Sequence, residues 1–337
     1  MTLPAVLFVD WKSPADLNWI GQLPESTGLQ LMAPTDEISA VPSALLQSAN
    51  FIVSQHVPVT RAFIDAAPHL RLIQRYGTRA DGIDLQAAKE AGVLVATMPL
   101  HGCVAVAELA MTLILSLSKC LVRAHQSTVS GAYRSLGIEP IRTEQRVHKF
   151  QWMKIAGLLE IVGHTLGIIG FGEIGTETAR RARAFGMKVI YNKRRRLSSA
   201  IEQMEMVEYA DLDQLLGTSD FVLVAAPLTA ETNKIIGARE LGLMKRSAFL
   251  INISRGGTID EEALVIALKA RQIAGAGLDV FLFEPTPFDN PLLQCDNVIL
   301  TPHIGGGTGG ARNRQMGDVL SNIHRYLENG PIANRMA

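Results

Sequence analysis

The chain has 337 residues, which is too long for one ordinary domain and about right for two, and its 47% of hydrophobic residues can fill two cores. Its 32 basic and 32 acidic residues give a formal net charge of zero, which argues against a nucleic-acid or membrane-surface protein, since either normally carries a basic excess. The three cysteines, Cys103, Cys120 and Cys295, are unclustered and lack metal-ligand spacing, so we expect a reduced protein with no disulfide framework and no metal site.

The first part of the chain alternates short apolar runs with helical patterns, which is typical of a parallel sheet with helices between its strands. The first run ends at Asp10 and lacks the long apolar stretch and basic lead of a signal peptide, so the expected location is the cytoplasm. The predicted strands are Ala5–Val9, Phe51–Val53, Leu70–Ile73 and Val93–Ala96, and the helical pieces are Ala62–Ala66 and Leu85–Ala91.

Two segments in the middle of the chain need separate interpretation. Val104–Leu121 is apolar enough to imitate a membrane span, but Glu108, Lys119 and several hydroxyl side chains favour a long core helix. Residues 131–163 show little periodicity, and a structureless stretch of that length is uncommon in a compact protein. We interpret it as a functional segment or an interface arm, with a solvated loop as the alternative.

A second series of apolar runs begins at Thr165 and predicts a doubly wound nucleotide-binding domain. The glycines of the first series do not form a dinucleotide-binding pattern, so the first series is the candidate substrate domain. The six strands predicted in the second series are Leu166–Ile169, Lys188–Tyr191, Phe221–Ala225, Phe249–Asn252, Gly275–Val280 and Val298–Thr301.

A glycine-rich turn follows the first strand of the second series and runs into an alanine- and arginine-rich helix. Gly170 allows a tight turn, Gly172 lets a pyrophosphate approach the backbone, and Gly175 permits close packing of helix and strand. Because a strand and a helix flank it, we interpret the turn as a phosphate-binding loop. The residues of this loop predicted to bind a cofactor are Gly170, Phe171, Gly172, Glu173, Ile174 and Gly175.

Arg255, Glu284 and His303 fall just past the carboxyl ends of predicted strands, where doubly wound sheets bind ligands. An imidazole such as His303 can donate a proton to a carbonyl oxygen as hydride reaches the carbon, if a carboxylate such as Glu284 keeps the imidazole protonated near the working pH. A guanidinium such as that of Arg255 can clamp a carboxylate and polarise the adjacent carbonyl. A 2-oxo acid offers both groups.

Motifs along most of the chain strengthen this interpretation. They are Gly170–Gly175, Ile251–Gly257, Gly277–Pro285 and Thr301–Gly306, with shorter matches at Gly77-Thr78, Asp81, Ile83-Asp84, Val106–Glu108, Gly163–Gly167, Ala226–Thr229 and Glu231-Thr232. Together they resemble the D-isomer-specific 2-hydroxyacid dehydrogenases. The resemblance covers nearly the whole chain.

The resemblance implies an α/β fold of two doubly wound parallel-sheet domains with a cleft between them, and a homodimer. A Rossmann dinucleotide-binding domain, residues 103–305, would be inserted in a flavodoxin-like substrate-binding domain, residues 1–102 and 306–337. Arg255 would bind substrate with the backbone near Thr78 and Arg79, and Glu284 would support His303, the acid in reduction and the base in oxidation. Asp279 would hold the nicotinamide amide. The other implied cofactor contacts are Pro227, Thr232, Ile253, Ser254, His303 and Gly305.

Two positions depart from the family pattern, which commonly has glycine where this chain has Arg79 and asparagine where it has Gly102. Arg79 either places a second cation near the substrate or points to solvent.

The cofactor choice is suggested by the residues after the second strand of the nucleotide-binding domain. An NAD-preferring site usually places Asp or Glu there to bind the ribose hydroxyls. This chain has Asn192 followed by the cations Lys193, Arg194, Arg195 and Arg196, which would attract a 2′-phosphate. We therefore predict that NADP is preferred over NAD, with a merely solvated basic turn as the alternative.

The expected function is that of an oxidoreductase that reduces a small 2-oxo acid, of the glyoxylate or hydroxypyruvate type, to the D-2-hydroxy acid. One alternative is a dinucleotide-sensing binding protein like the C-terminal-binding corepressors. Another is a dehydrogenase of the same fold that acts on a different small anion such as phosphite.

Overall fold

The computed structural model of this protein has two units, each built around its own parallel sheet. It describes residues 3–10, 12–34, 41–77, 80, 82–98, 100–307 and 310–336. The first unit comprises Met1–Gly102 and Thr308–Ala337, and the second comprises Cys103–Gly307. The division predicted from the sequence falls after residues 102 and 305.

The strands are, in chain order, β1 (Ala5–Phe8), β2 (Gln30–Met32), β3 (Phe51–Ser54), β4 (Leu72–Tyr76), β5 (Leu94–Met98), β6 (Thr165–Ile169), β7 (Lys188–Asn192), β8 (Glu208–Tyr209), β9 (Phe221–Val224), β10 (Phe249–Asn252), β11 (Gly275–Leu278) and β12 (Val298–Leu300). The first unit has the sheet order β2-β1-β3-β4-β5 and the second has β12-β11-β10-β9-β6-β7-β8, and all neighbouring strands are parallel. These are the flavodoxin-like and Rossmann-type orders, so the predicted fold class is confirmed.

The helices are α1 (Pro14–Gly21), α2 (Ser43–Ser48), α3 (Arg61–Asp65), α4 (Leu85–Glu90), α5 (His101–Ser118), α6 (Leu121–Val129), α7 (Glu173–Ala184), α8 (Ser199–Glu205), α9 (Leu212–Thr218), α10 (Ala238–Leu243), α11 (Glu261–Lys269) and α12 (Ala311–Leu327). Most of them lie between successive strands, as crossover connections between parallel strands require, but α5 and α6 follow one another and only a 3-10 turn, Pro291–Gln294, lies between β11 and β12.

Two edge strands, β2 and β8, were not predicted. β2 has three residues and none of them is buried, and β8 has two residues, of which Glu208 is exposed. Edge strands this short place few side chains in the core. They therefore give no long apolar run in the sequence. Its pairing depends on the neighbouring strand, which a local pattern does not reveal.

The first sheet is buried on both faces by alternating side chains. Val6 and Phe8 of β1 pack with Leu320 and Ile323 of α12, whereas Leu7 of the same strand belongs to the core on the other face. Successive strand residues point to opposite faces, so a short apolar strand fills two cores at once.

The long apolar helix predicted at Val104–Leu121 is α5, and it belongs to the core of the second unit. By length and composition alone α5 could cross a membrane, but half of its residues are buried within the protein. Leu113 and Leu117 face β11 at Gly277, where an added Cβ would lie 3.1 Å from Leu113. The helix starts at His101 and stops before Cys120, whose φ is 48°. A left-handed residue interrupts the helical hydrogen-bond pattern, and α6 then begins at Leu121.

Residues 131–163 contain one short 3-10 turn, Ala132–Leu136, and otherwise follow an irregular, mostly exposed path. The rings of Tyr133 and Trp152 meet edge to face at 5.9 Å. They help to line a cavity of about 360 Å³ together with His148 and Lys149. The segment thus has internal contacts of its own, while Phe150 remains 87% exposed.

Candidate functional site

The carboxyl ends of the second sheet carry the loops that contain the predicted site residues of this unit. Because the strands are parallel, the loops after β6, β7, β9, β10, β11 and β12 all leave the same edge. The chain places β7 on one side of β6 and β9 on the other. Such a change of winding direction is the point at which doubly wound sheets bind ligands.

The loop after β6 has the shape of a phosphate cradle. Gly170 has a φ of 90°, and a Cβ there would lie 2.4 Å from the backbone nitrogen of Ala226. A Cβ on Gly175 would lie 2.8 Å from the carbonyl oxygen of Gly170, whereas a Cβ on Gly172 would meet no atom within 4 Å. Gly172 is also the N-cap of α7 and has no capping side chain. The open side of the loop therefore coincides with the helix amides that bind anions.

The other predicted residues of this loop lie beside Gly172. Glu173 and Ile174 form the first turn of α7, and Phe171 is buried with its ring 4.8 Å from that of Tyr191. The carbonyl oxygen of Phe171 accepts a hydrogen bond from Lys193 Nζ at 3.0 Å. This contact ties the basic loop after β7 to the glycine loop.

The cations after β7 differ in their surroundings. Arg194 and Arg195 are exposed. Arg196, the last cation of the predicted run, instead donates from Nε and Nη2 to the carboxylate of Glu202, at 2.8 and 2.9 Å. Among the contacts described, no carboxylate pairs with Arg194 or Arg195. Both side chains remain exposed.

The loop after β9 is folded on itself by hydroxyl groups. Thr232 Oγ1 donates to the carbonyl oxygen of Pro227 at 2.6 Å and accepts the amide of Thr229 at 2.7 Å. A hydrogen bond from Thr229 and, more weakly, the charge of Arg194 lower the pKa of Glu231. Because β7 and β9 are the two neighbours of β6 in the sheet, their loops lie on either side of the glycine loop.

The loop after β10 is braced by buried polar side chains that hold Arg255 in place. Asn252 Nδ2 donates to the carbonyl oxygen of Arg255 at 3.1 Å, and Asn252 Oδ1 accepts from the amide and the hydroxyl of Ser254, both at 3.0 Å. Thr258 Oγ1 donates to the same Arg255 carbonyl at 2.7 Å. Ser254 and Ile253 are buried, whereas Arg255 is exposed. The backbone is fixed, and the exposed Arg255 side chain donates from Nη1 to the carbonyl oxygen of Ser254 at 2.6 Å.

Gly256 brings this loop into contact with the next one. A Cβ on Gly256 would lie only 1.9 Å from the backbone carbon of Phe281 and 2.4 Å from the amide nitrogen of Leu282. No other residue fits without moving a backbone. The absence of a side chain therefore sets Arg255 close to the loop that carries Glu284.

Glu284 and His303 form a hydrogen-bonded pair, with 2.6 Å between Glu284 Oε2 and His303 Nδ1. The other carboxylate oxygen of Glu284 accepts the amide of Phe281 at 3.0 Å. The hydrogen bond with His303, and also the charge of Arg255, hold the pKa of Glu284 below its ordinary value. The three predicted ionisable residues are thus brought together, and the carboxylate is ionised where it meets the imidazole.

Asp279 is buried and organises the turn that carries His303. Its Oδ1 accepts the hydroxyl of Thr301 at 2.7 Å and the amide of Ile304 at 2.9 Å, and its Oδ2 accepts the amide of Gly305 at 2.9 Å. His303 lies inside this clamp with a φ of 54°. A left-handed histidine is uncommon and persists where the surrounding contacts over-determine it. The cofactor contact expected of Asp279 and Gly305 remains a prediction.

Sequence reasoning missed the bracing role of Asn252, Thr301 and Glu202. A polar residue at the last position of a buried strand, as Asn252 is, could have indicated a brace. Thr301 and Glu202 gave no comparable signal. Their partners lie 22 and 6 residues away in the chain.

Thr78 and Arg79, the predicted substrate contacts of the first unit, lie outside the described residues. In the part of the chain that the structure describes, no cluster of three or more His, Cys, Asp or Glu side chains is arranged to hold a metal ion.

Comparisons with known proteins agree with the motifs. The family model of the NAD-binding domain of D-isomer specific 2-hydroxyacid dehydrogenases matches residues 111–305. A glyoxylate reductase of Thermococcus gammatolerans is 42% identical over 269 residues, which is 80% of this chain and 76% of that protein. A hydroxypyruvate reductase of Thermotoga maritima is 39% identical over 279 residues, covering 82% and 84%.

Solved structures resemble both units. A glyoxylate reductase from Paecilomyes thermophila superimposes with a TM-score of 0.61 at 28% identity, covering 100% of this chain and 99% of that one.

Proposed function

This chain belongs to the family of D-isomer specific 2-hydroxyacid dehydrogenases, and on that premise we propose that it is a nicotinamide-dependent reductase of a small 2-oxo acid such as glyoxylate or hydroxypyruvate. The observation that carries the proposal is the 2.6 Å pair of Glu284 and His303 on the same sheet edge as Arg255 and the open glycine loop. The names of the two relatives support the substrate class.

The residues divide the chemistry of a 2-oxo acid between them. Glu284 engages Nδ1 of His303, which leaves Nε2 to give a proton to the carbonyl oxygen in reduction and to take it back in oxidation. Arg255 clamps the substrate carboxylate and polarises the neighbouring carbonyl. A reduced nicotinamide held at this edge would supply the hydride for the carbonyl carbon.

The glycine loop fits the pyrophosphate of a dinucleotide. The space beside Gly172 is open, so a phosphate can approach the backbone, while Gly170 and Gly175 are already packed against protein atoms. Phe171, Glu173 and Ile174 complete that contact, and Pro227, Thr232, Ile253, Ser254, Asp279 and Gly305 line the rest of the edge in this proposal.

We further propose that NADPH is preferred, since the exposed Arg194 and Arg195 follow β7 where NAD-dependent sites usually place an acid. Lys193 joins them from its contact with the glycine loop. NAD(H) is the alternative cofactor.

The first unit is proposed as the substrate-binding domain and residues 131–163 as a homodimer arm. The arm and the adjoining α6 expose Val129 (74%), Val147 (47%) and Phe150 (87%), an apolar surface that a second copy would cover. Light scattering of the full chain tests this, with Phe150→Asp expected to shift the particle toward a monomer.

The free thiols of all three cysteines support a cytoplasmic location.

The activity is tested by following the oxidation of NADPH and of NADH with glyoxylate, hydroxypyruvate, pyruvate, phenylpyruvate and 2-oxoglutarate. Turnover that is faster with NADPH, on one or two of these acids, is expected. Tight cofactor binding without turnover on any of them would contradict the reductase proposal. Equal kcat/KM with NADH would contradict the cofactor preference alone.

A further inference from the structure

A buried tyrosine and a glutamate hold Arg196 in place at the end of the basic loop. We call Tyr191, Arg196 and Glu202 the tyrosine–glutamate–arginine cluster. Tyr191 donates its hydroxyl to Glu202 Oε1 at 2.7 Å, and the same hydroxyl accepts the amide of Leu197 at 3.0 Å. Arg196 completes the cluster with two parallel bonds to the carboxylate, at 2.8 and 2.9 Å.

This cluster is anchored more firmly than a surface ion pair. Tyr191 is fully buried in β7, and the Glu202 side chain is 11% exposed although that of Arg196 is 62% exposed. Hydrogen bonds from Arg196 and Tyr191 lower the pKa of Glu202 to about 2, so the carboxylate stays ionised over the whole physiological range. Bidentate pairing with a planar guanidinium also fixes the direction of the arginine.

The cluster restrains the end of the short loop that follows β7. Other hydrogen bonds restrain its beginning. There, the carbonyl oxygen of Asn192 accepts the amide of Gly170 at 2.8 Å, and Asn192 Nδ2 donates to the carbonyl oxygen of Ala210 at 2.9 Å. Arg194 and Arg195 lie between these two anchored ends. Their backbone is therefore restrained while their side chains are exposed.

We propose that Glu202 is a positioning residue for cofactor discrimination: through Arg196 and Tyr191 it presents Arg194 and Arg195 to the 2′-phosphate of NADPH. The inference rests on the NADPH preference proposed above. Holding a loop in its binding conformation before the ligand arrives reduces the ordering cost of binding, which raises affinity without adding a contact. Because Glu202 engages the charge of Arg196, the preference depends on geometry at residues 194 and 195 rather than on the total charge of the run.

The experiment measures the affinity of the full chain for 2′,5′-ADP and for 5′-AMP by isothermal titration calorimetry. The two probes differ in the 2′-phosphate and contain no reacting group. Tyr191→Phe is the decisive variant because it removes the hydroxyl and leaves the net charge unchanged. Glu202→Gln disrupts the cluster more completely. Tyr209→Phe is the matched control, since the Tyr209 ring lies 5.3 Å from the Arg196 guanidinium and phenylalanine preserves that contact.

The wild-type chain is expected to bind 2′,5′-ADP more tightly than 5′-AMP. Tyr191→Phe should weaken 2′,5′-ADP binding about fivefold and Glu202→Gln about tenfold, values that correspond to one lost hydrogen bond and to a lost charged pair. Affinity for 5′-AMP should stay within about twofold in both variants, and both affinities should stay within about twofold in Tyr209→Phe. KM for NADPH should rise in the same variants, with kcat unchanged.

Three results would overturn the inference. Unchanged or tighter 2′,5′-ADP binding in Tyr191→Phe and Glu202→Gln would show that the cluster does not position the arginines, or that Arg196 itself joins the phosphate once released. An equal loss for both probes would show a general structural role. A wild-type chain that does not distinguish the probes would refute the NADPH preference itself, and the inference with it.

Discussion

The two parallel sheets use the carboxyl ends of their strands in opposite ways. In the second sheet, the glycine loop after β6 leaves open space beside Gly172. In the first sheet, the amides of Gln55, His56 and Val57 after β3 donate to the carboxylate of Asp10, at 2.5, 2.8 and 3.2 Å. In the first sheet, the carboxylate of Asp10 therefore already occupies the position of a bound anion. Sheet topology offers a place for an anion, and the sequence decides whether a ligand or a side chain occupies it.

Replacing the proposed proton donor is expected to have the largest effect on the open edge. His303→Asn keeps a residue that tolerates the left-handed backbone but cannot deliver the proton, so kcat for reduction should fall about 10³-fold. Steady-state rates with the best 2-oxo acid measure this, and 5′-AMP affinity checks that the cofactor region is intact. A variant that reduced the acid at the wild-type rate would place the proton donor elsewhere.

Removing the carboxylate beside that donor is expected to be the next largest change. Glu284→Gln should lower kcat about 10²-fold, because the imidazole loses its orienting partner. Rates of reduction by the wild type and the variant, measured across the pH range, test this role.

On the acidic side of the pH profile, the effect of pH on activity depends on the protonation of Glu284. Contact with His303 holds the pKa of Glu284 below its ordinary value, so the wild type should keep the ionised pair until the pH falls through that lowered pKa. Profiles of kcat against pH, for reduction and for oxidation, measure this loss of activity on the acidic side. Identical profiles in the wild type and Glu284→Gln would refute the support assigned to Glu284.

Filling the open position separates binding from folding. Gly172→Ala adds a methyl group that meets no protein atom within 4 Å, so the midpoint of thermal unfolding should stay unchanged while NADPH affinity falls about tenfold. Gly170→Ala is the contrasting variant, because its Cβ would lie 2.4 Å from a backbone nitrogen at a φ of 90°. It should lose about 2 kcal/mol or more of unfolding free energy. Equal losses of stability in the two variants would contradict this separation.

Disturbing the filled loop of the first sheet should have the smallest effect. Asp10→Asn leaves one acceptor oxygen for the three amides, so the free energy of unfolding should fall by about 1–2 kcal/mol with no change in NADPH affinity. Denaturant unfolding and cofactor titration measure the two quantities, with the exposed Asp65→Asn as control. A specific loss of NADPH affinity would mean that the loops of the first sheet take part in cofactor binding.

Local patterns predicted much of the fold and the main chemistry of the second unit. Apolar runs predicted the long strands, and the spacing of Gly170, Gly172 and Gly175 predicted a loop that is open at its middle glycine. Arg255, Glu284 and His303 were predicted because each follows an apolar run that predicts a strand, and parallel strands bring such positions to one edge.

The contacts that fix these groups were not predictable in the same way. The approach of Gly256 to Phe281 and the three amides on Asp10 join residues far apart in the chain. Their chemistry is ordinary at each end, and only the packed backbone shows that the ends meet. Arg196 illustrates the same limit at short range. Its charge suggested the cofactor run, but its pairing with Glu202 depends on where α8 begins.

The order of the strands separates the loop proposed to contact the 2′-phosphate from the loops that carry the three ionisable residues. The loop with Arg194 and Arg195 follows β7 on one side of β6, whereas the loops with Arg255, Glu284 and His303 follow β10, β11 and β12 on the other. Each set is braced by its own hydrogen bonds. With the cofactor preference proposed above, an exchange of residues 193–198 for those of a relative is expected to alter which coenzyme is consumed while leaving the hydroxy-acid chemistry intact. Evolution can tune the two independently along one edge.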